Sequence, residues 1–258
     1  MTEQKKLSTG TRLLPYFVVF GALAIWWLLA ISGLFPQSLF PSPVSVAAGF
    51  IEEFTSGRLF DDLVASLFRV VGGFGLSAGL GIPLGLILGR YERTRVALLP
   101  AVNFFRSLSP LAWIPFAILW FGIGDAPAVF LIFMSAFFPI VLATVAAVSS
   151  IPAVYFRIAH DYGIQGTRLL THVTLPAIAP EVITVLRVTA GLAWLVVVAA
   201  EMIAGRDGLG FAIWDARNGL RMDLLITGMI VIGLIGVILD RLLVRLTNIP
   251  SVRWGYER

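Results

Sequence analysis

The chain has 258 residues, 58% hydrophobic and 13% charged, against about 25% charged in a typical soluble domain. It holds no cysteine, which excludes disulfides, thiol nucleophiles and Cys-ligated metals. A net charge of +4 on so apolar a chain points away from nucleic acid and towards a bilayer, where the placement of Lys and Arg reports sidedness.

Six segments are apolar over about 20 residues or more, the length that crosses a hydrocarbon core. They run 13–34, 66–88, 98–121, 127–148, 181–204 and 224–246. The first is too long for the apolar region of a signal peptide and lacks a small-x-small cleavage site before Pro36, so it is read as retained. After it, "FPSPVSVAAGFIEEFTSGRLFDDLVASL" reads as a turn and then an amphipathic helix at the membrane surface. Gly72, Gly73, Gly75, Gly79, Gly81 and Gly85 crowd the second segment, as expected where another helix comes close. No internal repeat, low-complexity tract or soluble domain interrupts the pattern. Residues 1–258 therefore form a single transmembrane domain, all-α in class.

Charge alternates from loop to loop. Residues 1–12 carry +2, 89–97 carry +2, 149–180 carry +1 and 240–258 carry +2. The intervening stretches 35–65, 122–126 and 205–223 carry −3, −1 and zero. Positive loops face the cytoplasm, so both termini and the loop 149–180 are placed there.

Charged residues inside the spans are costly and usually face protein or water. Arg106 lies about eight residues into the third span, just before Pro110 and Pro115 loosen the backbone. It has two readings: a pathway group, with Ser109, Pro110 and Trp113 beside it, or a side chain that snorkels or pairs within the protein. Trp113 and Trp120 stand seven apart and share a face, which favours packing or interface anchoring over recognition. Arg69, at the outer start of the second span, is an interface anchor or a partner of Glu201. Arg187, near the cytoplasmic end of the fifth span, is read as snorkelling. Glu201, with Arg206 and Asp207 close by, is read as fixing the far end of that span.

The loop 149–180 is the polar exception. It contains "RIAHDYGIQGTRLLTHVTLP" (157–176), with both histidines of the chain. Ile151, Val154, Tyr155, Ile158 and Tyr162 recur at helical spacing, while Arg157, His160 and Asp161 lie elsewhere around the turn. Gly163 and Gly166 mark the stop and reversal of a short helix. Leu169, Leu170 and Val173 begin a second apolar face, which Pro176 and Pro180 are expected to end before the fifth span. An exposed amphipathic helix of this kind either lies on headgroups, packs on its own protein or receives a partner.

The same passage resembles the cytoplasmic signature of ABC importer permeases: Glu-Ala-Ala, three residues, Gly, nine residues, an aliphatic residue, any residue, Leu-Pro. Ala159, Gly163, Val173, Leu175 and Pro176 are in register, whereas Arg157 and Ile158 replace the leading Glu and Ala. "SLSPLAWIPFAILWFGIG" (107–124), "VAAEMIAGRDGLGFAIWDARN" (198–218) and "VILDRLL" (237–243) resemble the nitrate, sulfonate, taurine and bicarbonate branch.

The resemblance implies a type I importer fold in a bacterial cytoplasmic (inner) membrane. Two permease copies, as a homodimer, would assemble with two ATPase subunits and a periplasmic or lipid-anchored binding protein. It assigns ATPase coupling to Ile158, Ala159, His160, Asp161, Tyr162, Gly163, Ile164 and Gly166. Having no GxxxxGK[ST] loop, the chain is not itself an ATPase; ATP and Mg belong to the partner subunits, and no cofactor or metal is expected here. The expected cargo is a small anion of the nitrate, sulfonate, taurine or bicarbonate class, with another small organic solute as the alternative. A secondary carrier would need a buried carboxylate and histidine relay and repeated halves, which the sequence does not offer.

Overall fold

A computed structural model of the chain describes residues 9–36 and 38–247. The charges of the extreme termini, which contribute to the expected sidedness, lie outside the described residues. Among the described residues all regular structure is helical: α1 Thr9–Ile31, α2 Pro43–Thr55, α3 Arg58–Arg90, α4 Glu92–Ser107, α5 Ile114–Phe121, α6 Asp125–Ser149, α7 Ala153–Asp161, α8 Gly166–Leu169, α9 Leu175–Ala204, α10 Leu209–Asn218 and α11 Met222–Thr247. Helical structure covers each of the six predicted places, the third as two helices rather than one. Among the described residues four runs are long and apolar enough to cross a membrane, Arg58–Arg90, Asp125–Ser149, Gly166–Ala204 and Met222–Arg245, and the bent α4–α5 pair makes five if counted as one span. The apolar run in α1, Phe17–Ile31, is shorter.

α6 is the central post, packed most extensively against α3 and then against α9. The α3 contact follows a four-residue rhythm of small side chains: Gly73, Ser77, Gly81, Gly85 and Gly89. A Cβ placed on Gly73 would fall 2.7 Å from Ile132 Cβ, on Gly85 2.5 Å from Thr144 Cβ, and on Gly89 2.6 Å from Val148 Cβ. Ser77 Oγ donates across the seam to the Phe133 carbonyl at 3.2 Å. Lipid offers no hydrophobic drive for helix association, so close backbone approach and such polar contacts hold the pair. Of the glycines picked from sequence, Gly73, Gly81 and Gly85 serve this seam, but Gly75 and Gly79 face open space.

Three predicted boundaries are corrected. The stretch 40–67 is not a turn and one surface helix: after the turn it divides at Gly57, whose φ of +80° ends α2, and residues from Arg58 onward belong to α3. Gly49 and Val46 seat α2 against α11, where Thr227 Oγ1 donates to the Val46 carbonyl at 3.0 Å. The third span, 98–121, is two helices bent by 87°. Pro110 explains the break, because a residue before proline is driven out of the helical region, and Ser109 is extended (φ −62°, ψ 128°). Finally, Pro176 and Pro180 do not end a helix. The chain is helical from Gly166 to Ala204, with a π-helical turn at Leu170–Thr174 just ahead of Pro176. That local change of register accommodates a residue with no N–H to give, and Pro180 is carried inside α9.

Candidate functional site

α7 stands at the end of the bundle where α3 stops and α9 starts. Val154 and Ile158 are about half exposed and Tyr162 is 80% exposed, whereas Ala159 turns inward and is buried. The predicted stripe thus forms an uncovered apolar face. The helix closes on a six-residue turn in which Ile164 N–H donates to the Ala159 carbonyl at 2.8 Å and Gly163 N–H to the His160 carbonyl at 2.9 Å. Gly163 occupies the left-handed position of that turn (φ +69°), where a side chain is disfavoured. His160 and Asp161 are exposed, with Nδ1 and Oδ1 4.0 Å apart, and Gly166 starts α8. A groove of about 1010 Å³ runs from Tyr155 and Ile158 of α7, and Tyr162 just past its end, to Pro176, Thr184 and Val188 of α9.

The pathway candidates gather at the broken span. Arg106 sits exposed in the last turn of α4, where its charge complements the carbonyl end of the helix. Among the described residues no carboxylate pairs with it. Ser107 Oγ is turned back onto the Asn103 carbonyl at 2.9 Å, while Ser109 opens the extended link to the single 3-10 turn at Pro110–Trp113. Trp113 packs among aromatic rings, 6.3 Å from Phe105, 6.0 Å from Phe116 and 6.3 Å from Trp120 and Phe130.

The opposite end of the bundle is tied by a buried polar cluster that the sequence only hinted at. Asp62, Ser66 and Arg69 share one face of α3. Arg69, 1% exposed, donates through Nε to Asp125 at 2.6 Å, through Nη1 to Glu201 at 2.7 Å and the Asp207 carbonyl at 2.9 Å, and through Nη2 to the Asp207 carboxylate. Glu201 also accepts from Ser66 and from Gly210 N–H, each at 2.9 Å, and Asp62 accepts from Gly208 N–H at 2.7 Å. A Cβ on Gly208 would fall 2.5 Å from Glu201, which is why the "GRDGLG" turn needs glycine there. Glu201 fixes the end of α9, as expected, and Arg69 is its partner. Arg187 differs from expectation. It is not snorkelling but paired in a fork with Asp240 of α11, at 2.9 and 3.1 Å.

At this same end Arg221 reaches Glu52 of α2 at 2.7 Å and Asp223 at 2.8 Å. The hydrogen bond from Arg221 holds the Glu52 carboxyl below its ordinary range, while burial pushes neighbouring Glu53 up.

The described helices thus form a bundle of broken and continuous apolar helices, tied by ion pairs at one end and presenting an uncovered amphipathic helix at the other. The chain belongs to the family of binding-protein-dependent transport system inner membrane components, whose model matches residues 81–249. It is 39% identical to a putative ABC transporter permease protein of Methanocaldococcus jannaschii, covering 92% of this chain and 90% of that one. It is 35% identical to the bicarbonate transport system permease protein CmpB of Synechococcus elongatus (89% and 86% covered) and 32% identical to the taurine transport system permease protein TauC of Escherichia coli (93% and 86%). Among solved structures, the fold is similar to a chain of the MetNI methionine ABC transporter in an inward-facing conformation, with a TM-score of 0.65 at 17% identity over 74% of this chain and 95% of that one. A chain of a bacterial alginate ABC transporter, in complex with an alginate-bound periplasmic protein, gives a TM-score of 0.60 at 15% identity (92% and 94% covered). The protein is therefore a transport subunit with the fold of ABC importer permeases, not an enzyme.

Proposed function

We propose that two copies of this chain form the pathway of an ATP-driven importer for a small anion of the sulfonate, taurine, bicarbonate or nitrate class. The reading rests on the relatives' transport roles and on the sequence placement of both termini on the cytoplasmic face of an inner membrane. A periplasmic or lipid-anchored binding protein delivers the cargo at the α10 end. ATPase subunits, which hold ATP and Mg, take α7 at the other end.

The observation that carries the proposal is the α7 face. Ile158 and Tyr162 expose apolar surface in a polar loop, and the Gly163 turn fixes their direction. A partner shifts a two-state pathway only through contacts that differ between the states, so a rigid handle is needed. The test is co-purification of the importer from its own genes. Ile158→Asp and Gly163→Val are expected to keep the permease in the membrane while losing retained ATPase subunit, or transport per retained subunit. Normal assembly and uptake in both variants would overturn the α7 assignment.

A further inference from the structure

Leu220 is the one non-glycine residue with a positive φ among the described residues, at +56°. It occupies the turn that ends α10: Leu220 N–H donates to the Arg217 carbonyl at 3.1 Å and Arg221 N–H to the Ala216 carbonyl at 2.9 Å. This is the same six-residue turn that ends α7, and there the left-handed position is filled by Gly163. A glycine is also next door at Gly219, yet the strained position holds a leucine. The residue is 71% exposed, so packing within the protomer offsets little of the strain. Backbone strain of this kind persists where the surroundings over-determine it, and it concentrates at functional contacts.

The surroundings do over-determine it. α10 packs on α3, α9 and α11, and the next residue, Arg221, is clamped between Glu52 and Asp223. Leu220 is thus an exposed apolar side chain on a fixed turn, flanked along the chain by charges of both signs: Arg217, the Arg221–Glu52–Asp223 group and, further back, Asp215 in its 2.6 Å pair with Arg58. Mixed charge of this kind gives no net attraction to anionic headgroups. An apolar centre within a polar rim is instead the anatomy of a protein–protein contact, and a preorganised knob loses little freedom on docking.

We infer that Leu220 is an anchor that inserts into an apolar socket on the external binding protein. The inference rests on the importer reading above, which puts the α10 end outside. The test uses the whole importer, expressed from its own genes and placed in lipid nanodiscs, with ATPase measured as its loaded binding protein is titrated in. Leu220→Gly and Leu220→Asn remove the knob while fitting the left-handed backbone better. They are expected to keep basal ATPase and to melt no lower than the parent, yet to need about tenfold more binding protein for half-maximal stimulation, the loss typical of an interface anchor. Leu220→Met is expected to stay close to the parent. Unchanged stimulation in the Gly and Asn variants overturns the inference, and if their melting then shifts with nanodisc lipid, the knob touches the bilayer instead. A parent complex that its binding protein does not stimulate overturns the importer reading itself, and this inference with it.

Discussion

Arg69 and Glu201, separated by 132 residues in sequence, meet at 2.7 Å where neither is more than 1% exposed. The pair ties α3 to the end of α9, and Asp125 and Asp207 draw α6 and the following turn onto the same guanidinium. Removing one partner of a buried pair leaves an uncompensated charge, which costs about 3–5 kcal/mol. Arg69→Met is therefore expected to lower the melting temperature sharply. Arg69→Lys is expected to rescue little, because a single ammonium cannot reproduce the fork that serves three carboxylates and a carbonyl. Thermal unfolding in detergent, followed by tryptophan fluorescence, measures both. A parent-like melt in Arg69→Met would show that the cluster contributes nothing to stability.

The α3–α6 seam yields a paired prediction. Gly85→Ala places a methyl 2.5 Å from Thr144 Cβ and must push the helices apart. Gly79→Ala meets nothing within 4 Å, so it gains only helix propensity, about 1 kcal/mol. The two changes are the same chemically and should move the melting temperature in opposite directions. Equal effects would mean that the seam is not closely packed.

How much of this was visible beforehand depends on the range of the interaction. The α7 stripe and its Gly163 stop are local, set by helical spacing and one backbone angle, and both were legible. The prolines announced a loosened third span, but only the geometry of Ser109 turns loosening into an 87° bend. Pro176 misled because a π-helical turn absorbs the missing donor, and no composition rule signals that. Arg187 was misread for another reason: its partner, Asp240, lies 53 residues away on a different helix. The Arg69 cluster was half legible, since Asp62, Ser66 and Arg69 share a face and "AEMIAGRDGLG" gathers acids and glycines, but their meeting is tertiary.

The tie between α2 and the α10–α11 turn should respond to acid. Arg221 lowers the Glu52 pKa in the folded protein, chiefly through its hydrogen bond. A depressed carboxyl contributes stability above its unfolded value, about 4.3, and that contribution disappears as pH falls through the folded value. The melting difference between parent and Glu52→Gln should therefore be present at neutral pH and shrink below about pH 4. Both groups are exposed, so the difference should be small and should fade in high salt. A difference that grows on acidification would reverse the sign and reject the assignment.

Arg106 carries the prediction that bears most directly on cargo. It is exposed at the broken span and has no carboxylate partner among the described residues. Its planar fork suits an oxyanion, and a second copy of the chain would bring a second fork to the same pathway. Attraction by two such groups should favour entry of an anion without trapping it. An arginine that merely snorkels predicts something else: replacement by lysine is harmless, and neutralisation changes membrane level rather than transport. Arg106→Lys and Arg106→Gln should be compared in a reconstituted importer, scoring uptake and basal ATPase separately. The pathway role expects Arg106→Gln to lose most uptake while assembly and basal ATPase persist, with Arg106→Lys intermediate. Full uptake in Arg106→Gln would leave this arginine as an anchor at the end of α4.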